Sequence, residues 1–496
     1  MRWIRSIVAL ALAALLALVA RSLSETAPNA GPVRRPLVAE GALDPDRVDR
    51  IELVREGRRT VFERTPGGDG ATWMQTEPVV HAADGWAVRQ LITRLLKAES
   101  VRRVEGSAAA GDATATDADR KALADAGLLP PVATLVLRES AEGGGAPREF
   151  VVELGRRSLA GRAFARVLRA GDGATAAGGY DVVDSALHEF ALERDVRDFR
   201  RRELFPDLGE VSRIVFESGG RRVVLARTKS GFRLEAPVAT RADRQQAEEL
   251  VDALRRARSS GFIVDEPREP SVYGLEPAAA RIEIEPATSG AAGSVVDTAL
   301  ARRALRIGDA VSIGAQDRFG LVEGTSSVVR VPAAEIAAIV PRVERLIDAV
   351  ATGVRARDVA RIEIMLAGGA DAATDARERI ELVREVDGWS ATRVSAGGGT
   401  APIVGTASGE AVDRLLAALA ETRAGSVEIA AFPQEFRVAE IVLRGFAGEA
   451  LDTVRVARRD GGQTLLENGD GVLRVHGSID LPVSPAELGF AAKTAR

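Results

Sequence analysis

Enzymatic chemistry needs special side chains held close together, and this sequence scatters its few candidates. Its three histidines stand at 81, 188 and 476. A zinc site takes three or four ligands and a Ser-His-Asp system needs a base beside its nucleophile, so isolated histidines read as surface or satisfied core residues. Lysine occurs only at 97, 121, 229 and 493; none has a serine three residues earlier, and the Ser-x-x-Lys nucleophile pattern is therefore missing. Cysteine is absent, which removes disulfides, thiolate ligands and a cysteine nucleophile. The glycine-rich runs Gly171-Asp172-Gly173 and 397–399 lack the spacing and trailing Lys-Ser/Thr of a phosphate loop and read as hairpin connections. With 71 acidic residues many carboxylates will be neighbours, but no pair stands out as a general acid and base. The sequence thus assigns no catalytic, cofactor-binding or metal-ligating residue and calls for no cofactor; the expectation is a protein that is not an enzyme.

What recurs is a scaffold. Val48-Asp49-Arg50-Ile51, Val211-Ser212-Arg213-Ile214 and Val359-Ala360-Arg361-Ile362 each open a similar series. An aromatic residue (Trp73, Phe232, Trp389) follows, then Pro78, Pro237 or Pro402, then Asp84, Asp243 or Ser408. Four residues later an apolar stripe begins: Val88, Leu91, Ile92, Leu95; Ala247, Leu250, Val251, Leu254; Val412, Leu415, Leu416, Leu419. The offsets 0, +3, +4, +7 define one face of a helix, and the Asp or Ser in front is an N-cap whose oxygen can accept first-turn N–H groups. The recurring rings could form a ligand platform, but repetition at a fixed register is what packing beneath a helix requires. Arg50, Arg213 and Arg361 likewise read as a solvated strand face with carboxylate partners.

The 496 residues suit about three domains. A formal net charge of −4, with Lys and Arg interspersed among the acids, gives no clustered basic face, and no nucleic-acid partner is expected. Residues 1–20 carry Arg2 and Arg5 before an uncharged apolar run, 7–20, and read as a membrane anchor or signal segment, with the body outside and the N-terminus inside. Residues 21–45, rich in Pro and Gly without an apolar period, read as a linker. Three repeat units follow, 46–208, 209–356 and 357–496. In each, short strands lead into the striped helix and further strands follow; units one and two are expected to close on long helices, from Asp184 and from Pro332 through Val350. The expected class is α+β: three tandem repeats of antiparallel sheets, each with an amphipathic helix on one face, after an N-terminal membrane segment.

These features, with Tyr273-Gly274-Leu275-Glu276-Pro277 and the strand Leu305-Arg306-Ile307-Gly308, resemble the bacterial membrane-associated family called domain of unknown function 4340. The likeness covers nearly all of residues 48–480, is clearest over 211–350 and is weakest in the second half of unit three. Unit one departs from it, with Ala126 in place of the Tyr, and unit three lacks a clean Gly-Leu-x-Pro. Members are often encoded beside ABC-transporter components of the gliding-motility type. The resemblance therefore implies an accessory role at the cell envelope, with permease and ATPase subunits as partners, and supplies no catalytic residues. The expected protein is a single-pass inner-membrane protein with its body on the periplasmic side; the alternative is an envelope protein that binds a peptide, glycan or lipid.

Overall fold

The computed structural model describes residues 34–493 except 66–71, 107–115, 142–145, 159–160, 171–173, 176–178, 288–301, 368–377, 395–400 and 460. Its strands form three antiparallel sheets of eleven, nine and ten strands. The second sheet gives the plan. In chain order it contains Val211–Ser218, Arg221–Thr228, Gly231–Ala236 and the short Thr240–Arg241; after a helix come Gly261–Asp265, Ala280–Pro286, Arg303–Ala310, Arg318–Val322 and Ser327–Val331. Across the sheet these nine run fourth, third, second, first, sixth, seventh, eighth, ninth, fifth, and the equivalent strands of the other two sheets follow the same order. The first sheet adds Arg35–Pro36 beyond its fifth strand and Ala174–Thr175 on its eighth; the third adds Ala491–Ala492 beyond its fourth.

The helix in each copy links the fourth strand, at one edge, to the fifth, at the other. These helices are α1 (Gly85–Leu96), α2 (Arg244–Arg256) and α3 (Gly409–Ala420). Asp84, Asp243 and Ser408 cap them, accepting the backbone N–H of Trp86, Gln246 and Ala411 respectively. All twelve stripe residues are buried, each set in the core cluster of its own sheet. Three or four large apolar side chains, at about 1.5–3 kcal/mol each when fully buried, hold such a helix firmly in place.

The expected α+β class needs correction, since strand outweighs helix by 47% to 20%: the fold is mostly antiparallel β. Two physical reasons account for the difference. First, the two halves of each copy do not make separate small sheets. The first strand pairs with the sixth, Ile51 opposite Leu137, Ile214 opposite Ile284 and Ile362 opposite Leu443, which fuses both halves into one sheet. Secondly, the long closing helices do not form. After Asp184 the chain makes one turn at Ala186–His188, widens to a π-turn at Glu189–Glu193 and tightens to a 3-10 turn at Val196–Phe199. After Pro332, which is a cap rather than a first-turn residue, the helix Ala333–Ile339 stops before Pro341, and only the single turn Val343–Leu346 follows.

Residues 34–45, expected within the linker, belong to the first sheet: Arg35 and Pro36 pair with Ser100 and Glu99, and Val38 and Leu43 are buried in its core. The expected N-terminal membrane segment, residues 1–20, lies outside the described residues. Among the described residues no helix is long and apolar enough to cross a membrane. Residues up to Arg201 form one compact unit, built on the first sheet. Residues from Arg202 form a second, which contains both remaining sheets.

Candidate functional site

A cluster of charged side chains around the buried Arg474 lies inside the second unit, where its two copies meet. Asp470 lies two residues before the ninth strand of the third sheet, Val472–His476, all five residues of which are buried. Arg474, at its centre, is 0% exposed. Its Nη2 donates to Asp470 Oδ2 at 2.8 Å and its Nη1 to the Val472 carbonyl at 3.2 Å; Nε reaches across to the carbonyl of Asp348 at 3.0 Å. The hydroxyl of Thr240, from the edge strand of the second sheet, donates to Asp470 Oδ2, and the Val472 N–H donates to Oδ1 at 3.0 Å. Burial would push the Asp470 carboxyl up. The Arg474 guanidinium, with the Thr240 hydroxyl and the Val472 amide, outweighs this and holds it below the usual carboxylate range.

Around this pair the connector between the copies is pinned from both sides. Arg241 donates to the Val350 carbonyl at 2.7 Å and pairs with Asp348 at 3.3 Å. The Asp243 N–H donates to the Leu346 carbonyl at 2.7 Å, while its carboxylate caps α2 and pairs with Arg423, just beyond α3. On the third-copy side, Thr352 is buried: its N–H donates to the Leu419 carbonyl and its hydroxyl to Asp452 Oδ2 at 2.6 Å. Carboxylate, guanidinium and hydroxyl are all here, but they are turned on one another and on backbone carbonyls. Such an arrangement fixes two copies in register.

The residues weighed for chemistry in the sequence are dispersed. His81 is half-buried in the first sheet, its Nδ1 2.9 Å from the Ala82 carbonyl oxygen. His188 is buried with Nε2 at 2.9 Å from the Phe164 carbonyl oxygen. Burial depresses its pKa; the Phe164 carbonyl opposes the shift in part and Arg157 adds to it. His476 lies in the second unit, its pKa lowered by burial and by Arg474. Trp73, Phe232 and Trp389 are all buried in the cores, with Arg227 over the Phe232 ring at 4.7 Å and Arg384 over Trp389 at 4.8 Å. Arg50 and Arg361 pair with Glu63 and Glu381 on the adjoining strands, and Arg213 reaches Glu235 two strands away. The runs 171–173 and 397–399 lie outside the described residues. Among the described residues no three His, Asp or Glu side chains are grouped to hold a metal ion.

The Tyr-Gly-Leu-Glu-Pro stretch proves to be a turn built against the Leu-Arg-Ile-Gly strand. Gly274 has φ +64°, and Leu275 is buried with Leu321 and Val328. A Cβ on Gly308 would run into the Tyr273 carbonyl oxygen. The Tyr273 ring stands edge-on to Phe319, centroids 5.1 Å apart. In the first copy Gly127 has φ +69°, and a Cβ on Gly155 would meet the carbonyl oxygen of Ala126. The missing ring is replaced from a different strand: Tyr180 stands edge-on to Phe164, centroids 5.7 Å apart. The two most recognisable stretches of the sequence are therefore one packing contact.

The family model described as "Domain of unknown function (DUF4340)" matches twice, over residues 73–278 and 233–440. The matches begin at Trp73 and Arg233, nearly the same point in two successive copies, and together they cover well over half of the chain. No curated protein and no solved structure matches it.

Proposed function

From the premise that the chain belongs to the DUF4340 family, we propose that it is a non-enzymatic envelope protein, tethered to the inner membrane through residues 1–20, with its body on the periplasmic side, that assists an ABC transport system. The observation that carries this reading is how the buried polar residues are employed. Asp243, Asp348, Asp470 and Arg474 join the second and third copies into one unit, as suits a protein that presents a fixed surface to a partner. Arg2 and Arg5 before the apolar run 7–20 support an N-terminus on the cytoplasmic side. The test is purification of the native protein from detergent-solubilised membranes. Permease and ATPase subunits should co-purify at a stoichiometric level; their absence, with the chain present in the membrane fraction, overturns the transport reading.

One feature favours a second reading, an envelope protein that binds a peptide, glycan or lipid. A groove of about 370 Å³ runs between α2 and residues 337–346, with Leu250 and Val340 beside Glu249, Arg342 and Arg345. Native mass spectrometry of the purified chain, with a bound species lost on Arg345→Glu at the exposed rim of the groove, would favour it over the transporter role.

A further inference from the structure

The three copies share one scaffold, so a residue that changes character at an equivalent exposed position in one copy calls for an explanation outside the scaffold. The second residue of α1 is Trp86, 61% exposed, while Trp73 and Trp389 are buried. Aligned on the buried stripe, the same position is Gln245 in α2 and Glu410 in α3. Three residues on, one turn along the same face, stands Arg89, against Glu248 and Asp413 in the other copies. Arg89 is exposed and makes no ion pair among the described residues. The whole of α1 contains no acidic residue and is followed by the exposed Lys97. Val80, in the connection that leads into α1, is 65% exposed. At these two helix positions one copy of three therefore carries an aromatic ring and a cation where its siblings carry polar and acidic residues, whereas the apolar position of Val80 recurs in the third copy as the exposed Val404.

We propose that this face, Val80, Trp86 and Arg89, rests on the surface of an anionic bilayer, the indole at headgroup depth and the guanidinium on lipid phosphates. An indole combines an apolar body with a polar N–H and concentrates at membrane interfaces; a basic residue beside it gains from the negative surface potential. The inference rests on the membrane tether proposed above, and the chain's geometry fits it. The apolar run ends at Ala20, and the 13 residues 21–33 span at most about 45 Å before the first described residue, Arg34. The Leu37 N–H donates to the Ala98 carbonyl, just past the C-terminus of α1, and a helix of 12 residues is about 18 Å long. Trp86 thus stands within the tether's reach of the bilayer, in the copy that the tether joins.

The absence of cysteine allows a clean test in the full chain. Single cysteines are placed at 80 (Val80→Cys), 245 (Gln245→Cys) and 410 (Glu410→Cys), labelled with an environment-sensitive fluorophore, and each protein is reconstituted alone into vesicles of phosphatidylglycerol and phosphatidylethanolamine carrying a nitroxide near the headgroup. The label at 80 should be quenched by the nitroxide lipid and those at 245 and 410 should not. Adding Trp86→Gln and Arg89→Glu, the residues of the second copy, should abolish the quenching at 80. A label at 80 as insensitive as that at 245, or quenching unaffected by the double change, overturns the inference. Flotation of the same samples reads the tether separately. Chain that floats with an unquenched label at 80 defeats only this inference, whereas chain that fails to float defeats the tether as well. No other protein is present, so shielding at 80 seen only in native membranes would assign the face to a protein partner and overturn the lipid assignment.

Discussion

Replacing Arg474 by Met tests the junction between the second and third copies. The change keeps the volume and removes the charge, leaving Asp470 buried without its cation. Breaking a buried ion pair by deleting one partner costs about 3–5 kcal/mol, because the surviving charge is left uncompensated. Here Asp470 retains the Thr240 hydroxyl and the Val472 N–H, which puts the expected loss near the lower end, about 3 kcal/mol. Asp470→Asn leaves Arg474 with the Asp348 and Val472 carbonyls as acceptors, so it should cost less, about 1.5–3 kcal/mol. The double variant Arg474→Met/Asp470→Leu removes both charges and should recover part of what the single change loses, since apolar replacement of a whole buried pair is often close to neutral. Hydrogen exchange read by mass spectrometry localises the effect: protection should fall in residues 238–243 and 346–352 and stay unchanged in residues 73–96 of the other compact unit. Wild-type protection of 238–243 and 346–352 in Arg474→Met would refute the reasoning, as would a double variant no more stable than that single one.

Leu254→Ala should lower stability by about 2–5 kcal/mol as a buried large-to-small change, whereas Arg255→Ala, on the exposed side of α2, should stay within about 1 kcal/mol; urea midpoints for the second unit separate them. Gly308→Ala should destabilise by about 1–3 kcal/mol, because the new methyl meets the Tyr273 carbonyl, and Gly477→Ser, at an exposed position with open space around its Cβ and no left-handed backbone, should cost less in the same assay. His188 titrates below the ordinary histidine range because it is buried, so the unfolded chain binds the proton first as pH falls. The stability this contributes is present above about pH 6.5 and is lost on acidification toward the folded-state pKa. Urea unfolding of the first unit should therefore show a smaller acid-induced loss in His188→Gln than in the wild type.

The helix stripes were legible because three signals agreed: a cap, a 3.6-residue period and the same register in all three copies. Leu91, Leu250 and Leu415 are accordingly buried. The sheets were legible only in pieces. A strand advertises its own alternation but not its partner, and the pairing of first with sixth strand joins residues 70 to 86 positions apart, such as Ile51 with Leu137. The fifth strands, Glu99–Glu105, Gly261–Asp265 and Ser426–Ile429, escaped altogether. They are half-buried or exposed edge segments, and two of the three are five residues or fewer, so their pairing depends on partners far away in the chain, Val427 with Arg474 for example. The closing helices failed for the opposite reason: the apolar period was present, but the chain at Pro341 cannot continue the backbone ladder that the period suggests.

The buried junction was the least legible part, and the cause is specific. In Val472-Leu473-Arg474-Val475-His476 the odd positions carry Arg and His, which in a half-exposed strand would mark the solvent face. The strand is instead covered on both sides. Leu473 and Val475 pack with Phe432, while Val472 belongs to the core of the second copy, so the face holding Arg474 looks onto another copy and not onto water. Only the position of that neighbour reveals that Asp470 and Thr240 must satisfy the guanidinium. The converse holds at Trp86, where the sequence places an apolar ring off the stripe and only the fold shows that no other part of the described chain covers it. Core residues repeat because each sheet needs them. The residues that distinguish one copy from the next, Arg474 at a junction and Trp86 on an open face, are set by what each copy meets.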